Sequence, residues 1–107
     1  MENNLNFDFK DGTLYVSLIG EIDYHSAAST REAIDEKVLE LCPKNLVLDL
    51  ADAPFMDSSG LGLIMGRCQL MKDLGGTLTV ANPSAGHKKI FKLAGLNLNK
   101  LVKIVKK

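Results

Sequence analysis

The segment Phe55-Met56-Asp57-Ser58-Ser59-Gly60-Leu61-Gly62-Leu63-Ile64-Met65-Gly66-Arg67 holds most of this chain's capacity for chemistry. Asp57, Ser58 and Ser59 all suit the residue that caps a helix N-terminus, and one cap needs only one of them. A serine hydroxyl at such a place can accept a phosphoryl group. The phosphate would meet free backbone N–H groups and the positive end of the helix dipole, a gain of roughly 0.3–2 kcal/mol. Asp57 opposes it, because a dianion about 6 Å from a carboxylate at an effective dielectric of ~20 is repelled by a few kcal/mol before screening. The same charge driven into an interface without a cation opposite would cost more. Modification is therefore expected to block an interface more than it disturbs the fold. Gly60, directly behind the serines, is expected to leave their hydroxyls unshielded and the backbone open to a partner. Gly62 and Gly66, four apart on one helix face, read as a notch for close approach to a sheet, since each glycine otherwise costs a helix about 1 kcal/mol relative to alanine.

Other chemistries fit less well. A nucleophilic triad would combine Ser58 with His25 or His87 and an aspartate, but the Gly-x-Ser-x-Gly elbow is missing. His25 is expected near a loop surface beside Asp23, and His87 at a helix start. Gly60-Leu61-Gly62 followed by Gly66 does not have the dinucleotide-loop spacing, and Arg67-Cys68 stands where a phosphate loop needs Lys and then Ser or Thr. Cys42 and Cys68 form neither a disulfide framework nor a Cys-x-x-Cys metal pair, and both read as buried apolar thiols. The expectation is a binding module, not an enzyme, with no cofactor and no metal.

The elements that must position this segment follow from periodicity. Leu5, Phe7 and Phe9, then Asp11-Gly12, then Leu14, Val16 and Leu18 predict a β-hairpin. From Tyr24 to Leu41, Ala27, Ile34, Val38 and Leu41 keep helical spacing with Glu32, Asp35, Glu36 and Glu40 outside, and Pro43 ends the run. Leu46 to Leu50 predicts a strand in mid-sheet. Leu61, Ile64, Met65, Cys68 and Met71 mark a second helix stopped by Gly75-Gly76, and Thr77 to Val80 a further strand. Pro83-Ser84 opens a third helix through Ile90, Phe91 and Ala94, with Gly95 beyond, and Leu101 to Val105 closes the chain as a strand or mixed ending. The order β-β-α-β-α-β-α-β implies an α/β domain with parallel pairing after the hairpin.

A chain of 107 residues, 46% hydrophobic and 24% charged, fits one soluble domain with a core of its own. Met1-Glu2-Asn3-Asn4 carries no basic region leading into an apolar stretch, and no apolar run nears the ~20 residues that span a bilayer, so the cytoplasm is the expected compartment. The net charge of zero hides an asymmetry: residues 21–42 hold six acids against two bases, and seven lysines but no acid follow Asp73. Those lysines alternate with aliphatics and have no aromatic stacking partners, so a solvated basic face is expected, with no nucleic acid and no membrane as partner.

Two blocks, Gly20-Glu21-Ile22-Asp23-Tyr24-His25-Ser26-Ala27 and Phe55-Met56-Asp57-Ser58-Ser59-Gly60-Leu61-Gly62, resemble in order and spacing those of the STAS domain, in particular its anti-sigma factor antagonists of sporulating bacteria. The resemblance spans nearly the whole chain, 1–107, as a single domain. It implies a mixed four- or five-stranded sheet with helices on one face, and a partner that is both anti-sigma factor and serine kinase. The unmodified antagonist would bind that kinase and free a sporulation sigma factor, with an antagonist of a general stress circuit as the alternative. Carried over by position, Ser58 is the phosphoacceptor. Asp57, Ser59, Gly60 and Leu61 lie at the partner-binding surface and Asp23 on the neighbouring loop. A phosphatase would reset Ser58, and a monomer is expected. Where the resemblance implies a last helix, this sequence stops at Lys107.

Overall fold

The structure is a computed structural model and describes residues 5–95 together with the backbone of 103–105. Strands β1 (Leu5–Lys10) and β2 (Thr13–Leu18) form the hairpin, turning at Asp11 and Gly12 with φ of 52° and 78°. Two successive residues at positive φ make the type I′ turn whose twist suits antiparallel strands, which is why Asp-Gly stands there. Helix α1 (Tyr24–Leu41), strand β3 (Asn45–Asp49), helix α2 (Ser58–Asp73), strand β4 (Thr77–Ala81), helix α3 (Ala85–Leu93) and strand β5 (Lys103–Val105) follow. The five strands lie in sequence order, antiparallel at β1–β2 and parallel from β2 to β5. Leu101 and Val102, expected to begin the last strand, lie outside the described residues.

Period-2 alternation decides the faces. Leu14, Val16 and Leu18 of β2, Leu46 and Leu48 of β3, and Leu78 and Val80 of β4 share one buried cluster with Ile34 and Val38 of α1, Ile64 and Met71 of α2 and Phe91 of α3. The helices thus cover one face. Asn6, Asp8, Lys10, Tyr15, Ser17 and Asp49 line a shallow groove on the other. β3 is central and reads as continuously apolar because Val47, pointing to the uncovered face, is also buried. Helix α2 ends in paired bonds: the Gly75 N–H donates to Lys72 O at 3.0 Å and the Gly76 N–H to Met71 O at 2.7 Å. Gly75, at φ 79°, supplies the left-handed residue that this closure requires.

Three expectations are corrected here. Cys42 is exposed, because it takes the left-handed position that ends α1, whereas Cys68 is buried as expected. A Cβ on Gly62 or Gly66 would meet nothing within 4 Å, so neither glycine serves approach to the sheet. Asp35, placed on the outer face by periodicity, turns toward α2 instead. Its Oδ1 lies 2.9 Å from Nε of Arg67, whose side chain is buried among the apolar contacts of α2. The pair is a close ion pair without the alignment of a hydrogen bond, and Nη1 of Arg67 has no partner among the described residues. Burial lowers the Arg67 pKa from its ordinary value, Asp35 works against that shift, and Arg31 adds to it.

Candidate functional site

Asp57, with extended backbone at φ −104° and ψ −166°, is the N-cap of α2, and its Oδ1 accepts the Ser59 N–H at 2.8 Å. Of three candidate caps the fold uses the first. Ser58 therefore opens the helix as an exposed residue whose hydroxyl is not needed for the cap, and Ser59 is half-buried behind it. The free N–H groups expected to greet a phosphate are largely engaged. Ser59 donates to the Asp57 carboxylate, and Gly60 and Leu61 donate to the Asp57 carbonyl at 3.0 and 3.3 Å. Support for a charge on Ser58 thus comes from the helix dipole more than from vacant donors.

Gly60 departs from its expected role. It is buried, and a Cβ there would overlap Met56 Cγ and stand 3.1 Å from Ile22 Cγ2. The glycine lets the first turn of α2 lie on these two side chains; it does not open the backbone to solvent. Leu61 is half-exposed beside the serines, and Gly62 is exposed one turn after Ser58.

Asp23 reaches the same place by the same device. It caps α1, its Oδ1 accepting the His25 and Ser26 N–H groups at 3.0 Å each, while the Ser26 hydroxyl accepts the Asp23 N–H at 3.1 Å. These bonds to the charged form, the Ser26 amide foremost, hold its carboxyl below the ordinary carboxylate value. What joins the two caps is a single parallel bridge between Ile22 and Met56. The Ile22 N–H donates to Phe55 O at 3.1 Å and the Asp57 N–H to Ile22 O at 3.3 Å. Asp23 and Asp57 follow the bridged residues directly, so two helix N-termini, each capped by a carboxylate, open side by side next to Ser58.

Exposed apolar side chains flank them. Tyr24 is 80% exposed and Phe55 54% exposed, with Ile19 nearby on the same pair of loops. Tyr24 rests edge-on against His25, ring centroids 5.9 Å apart. Tyr24 and Phe55 belong to the two sequence blocks that carry the resemblance, but neither stands among the residues expected at the contact surface. The available signal was their position next to the Asp23 and Asp57 caps, but exposure of an aromatic cannot be read from periodicity. His25 is at the surface beside Asp23, as expected. His87 is at a helix start, but its ring is buried, with both nitrogens engaged by Ser84 and Ala53. That leaves it unable to serve Ser58 as a base. Among the described residues no group of three or more His, Cys, Asp or Glu side chains is placed to hold a metal, and no helix is long and apolar enough to cross a membrane.

Compared with known proteins, residues 4–106 match the STAS domain model. The chain belongs to the STAS family. Within it the resemblance is to anti-sigma factor antagonists. The anti-sigma F factor antagonist of Paenibacillus polymyxa is 33% identical over 96 residues, covering 90% of this chain and 82% of that protein. The anti-sigma-B factor antagonist of Bacillus subtilis (strain 168) is 35% identical over 97 residues, covering 87% and 85%. The Bacillus cell fate determinant SpoIIAA, solved in its phosphorylated form, superposes with a TM-score of 0.73 at 26% identity over 94% of this chain and 89% of that one. The STAS fold inferred from the two sequence blocks is the fold observed, with five strands.

Proposed function

We propose that this chain is an anti-sigma factor antagonist switched by phosphorylation of Ser58. In this reading the unmodified protein binds, in the cytoplasm and as a monomer, an anti-sigma factor that is also a serine kinase. Binding releases the sporulation sigma factor held by that kinase. ATP comes with the kinase, which transfers the γ-phosphoryl group to the Ser58 hydroxyl. A phosphatase returns the serine. The observation that carries the reading is the division of labour at the α2 N-terminus, where Asp57 makes the cap and leaves the Ser58 hydroxyl exposed and dispensable to the fold. Asp23, Asp57, Ser59 and Leu61 would line the contact, with Tyr24 and Phe55 as apolar anchors and Gly62 giving room for close approach. Gly60 would act indirectly, by seating the first turn on Met56 and Ile22. A phosphate on Ser58 sets a dianion beside two carboxylates in the middle of that surface, so close approach of the partner becomes unfavourable while the helix itself tolerates the charge.

The test is incubation with the cognate kinase and ATP followed by peptide mapping. One phosphate on Ser58 is expected; modification at Ser59, or none, would sink the assignment. Ser58→Ala should retain kinase binding without phosphate-dependent release, and Ser58→Asp should weaken it. A general stress circuit is the second reading, favoured by the similarity to the sigma-B antagonist. Binding to one kinase and not the other decides between them.

A further inference from the structure

We infer that His87 is a positioning residue for the segment that carries Ser58, an inference that rests on the reading of Ser58 as phosphoacceptor. Although it stands in the first turn of α3, its side chain is only 1% exposed. The Ser84 backbone N–H donates to Nδ1 at 2.8 Å, so Nδ1 carries a lone pair. In the neutral ring the proton is then on Nε2, which donates to Ala53 O at 2.6 Å. Ala53 is fully buried in the connection from β3 to α2, two residues before Phe55.

That connection has no regular structure of its own and is held from several sides. Leu50 N–H donates to Ala81 O at 2.9 Å, Ala53 N–H to Leu50 O at 3.1 Å, and Gly20 N–H to Asp52 O at 2.8 Å. Beyond Ala53 the chain enters the Ile22–Met56 bridge and the Asp57 cap. The imidazole ties the middle of this path to the first turn of α3, and so couples the α2 N-terminus to that helix. Phosphoryl transfer depends on where the hydroxyl is held, and a displacement of about 1 Å can cost on the order of a hundredfold in rate.

A merely structural histidine would do no more than cap α3, and Ser84 separates the two roles. The Ser84 Oγ accepts the His87 N–H at 3.1 Å, a bond that Ser84→Ala removes while leaving the backbone N–H that orients the ring. Amide exchange and Ser58 phosphorylation are to be measured for the intact chain, Ser84→Ala, His87→Leu and His87→Gln, well below their melting points. His87→Leu is expected to speed exchange at residues 53–57 and lower kcat at least about tenfold, with KM within about threefold. Ser84→Ala should loosen only the first turn of α3. His87→Gln, which keeps an N–H donor, should recover most of the rate. If His87→Leu does not fold, His87→Asn, too short to reach Ala53, takes its place with the same expectation. Unchanged kcat together with unchanged exchange at 53–57 would overturn the inference, as would an Nδ1–H tautomer in the 15N shifts of the ring. If the unaltered chain takes no phosphate on Ser58, the proposed function fails, and exchange at 53–57 by itself decides whether His87 holds the segment.

Discussion

The Asp57 carboxylate, not the Ser58 hydroxyl, closes the N-terminus of α2, taking the Ser59 amide at 2.8 Å. This one bond gives the cap to Asp57 and, on the proposed reading, separates stability from signalling in adjacent residues. Ser58→Ala should leave stability within about 0.5 kcal/mol, as for an exposed side chain away from special features. Asp57→Ala should cost about 0.5–2 kcal/mol, and Asp57→Asn much less. Urea melts measure both. A loss in Ser58→Ala as large as in Asp57→Ala would mean that the serine is part of the cap.

The three glycines of α2 should respond in opposite directions. Gly60→Ala forces a methyl group onto Met56 and Ile22 and should destabilise by about 1–3 kcal/mol, outweighing its better helix propensity. Gly62→Ala and Gly66→Ala meet open space and should each stabilise by up to about 1 kcal/mol. On the proposed reading the stabilised Gly62→Ala should also bind the kinase more weakly, because its methyl group enters the contact. Thermal melts and a binding titration on the same samples test both halves; stabilised variants with undiminished affinity would remove Gly62 from the interface.

The Asp35–Arg67 pair links α1 to α2 through a cation that is largely buried and an acid that is about a third exposed. Removing the acid leaves the guanidinium uncompensated, so Asp35→Ala should destabilise at or below the low end of the roughly 3–5 kcal/mol typical of broken buried pairs. The double variant Asp35→Leu with Arg67→Met should recover most of that loss. A double-mutant cycle with no coupling would mean that the ion pair contributes only packing.

Asp23 gives a pH signature. Its carboxyl is held below 3.8 chiefly by the Ser26 amide, so the charged form is the one the fold prefers. Its contribution is therefore present above the ordinary value and is lost as pH falls through the lowered value of the folded state. Asp23→Asn keeps an acceptor for the cap but cannot titrate. The advantage of the unaltered chain over this variant should hold near neutral pH and fade on acidification below 3.8. A difference in melting temperature that does not change with pH would count against this account.

Much of the architecture was legible in the residues. The Asp11-Gly12 turn, the alternation around Leu14 and Leu46, the helical spacing of Ile34 and Val38 and the Gly75-Gly76 stop are local patterns, written within a few residues and set by backbone sterics and burial. The two blocks around Asp23 and Ser58 likewise pointed to the family that the chain belongs to. Which neighbour a side chain meets across the fold was not legible. Periodicity put Asp35 outside, yet Arg67 arrives from another helix. Gly60 looked open and Gly62 and Gly66 closed, and the reverse holds because Met56 and Ile22 come together only through a bridge between distant loops. Whether Asp57, Ser58 or Ser59 would cap α2 depended on backbone angles at the end of that bridge, and His87 acquired a partner 34 residues away in sequence. The sequence by itself determined the elements and the family, and singled out Ser58 as the proposed phosphoacceptor. Tertiary contacts decided that this serine is left free, because only they place the carboxylate that makes its hydroxyl unnecessary to the fold.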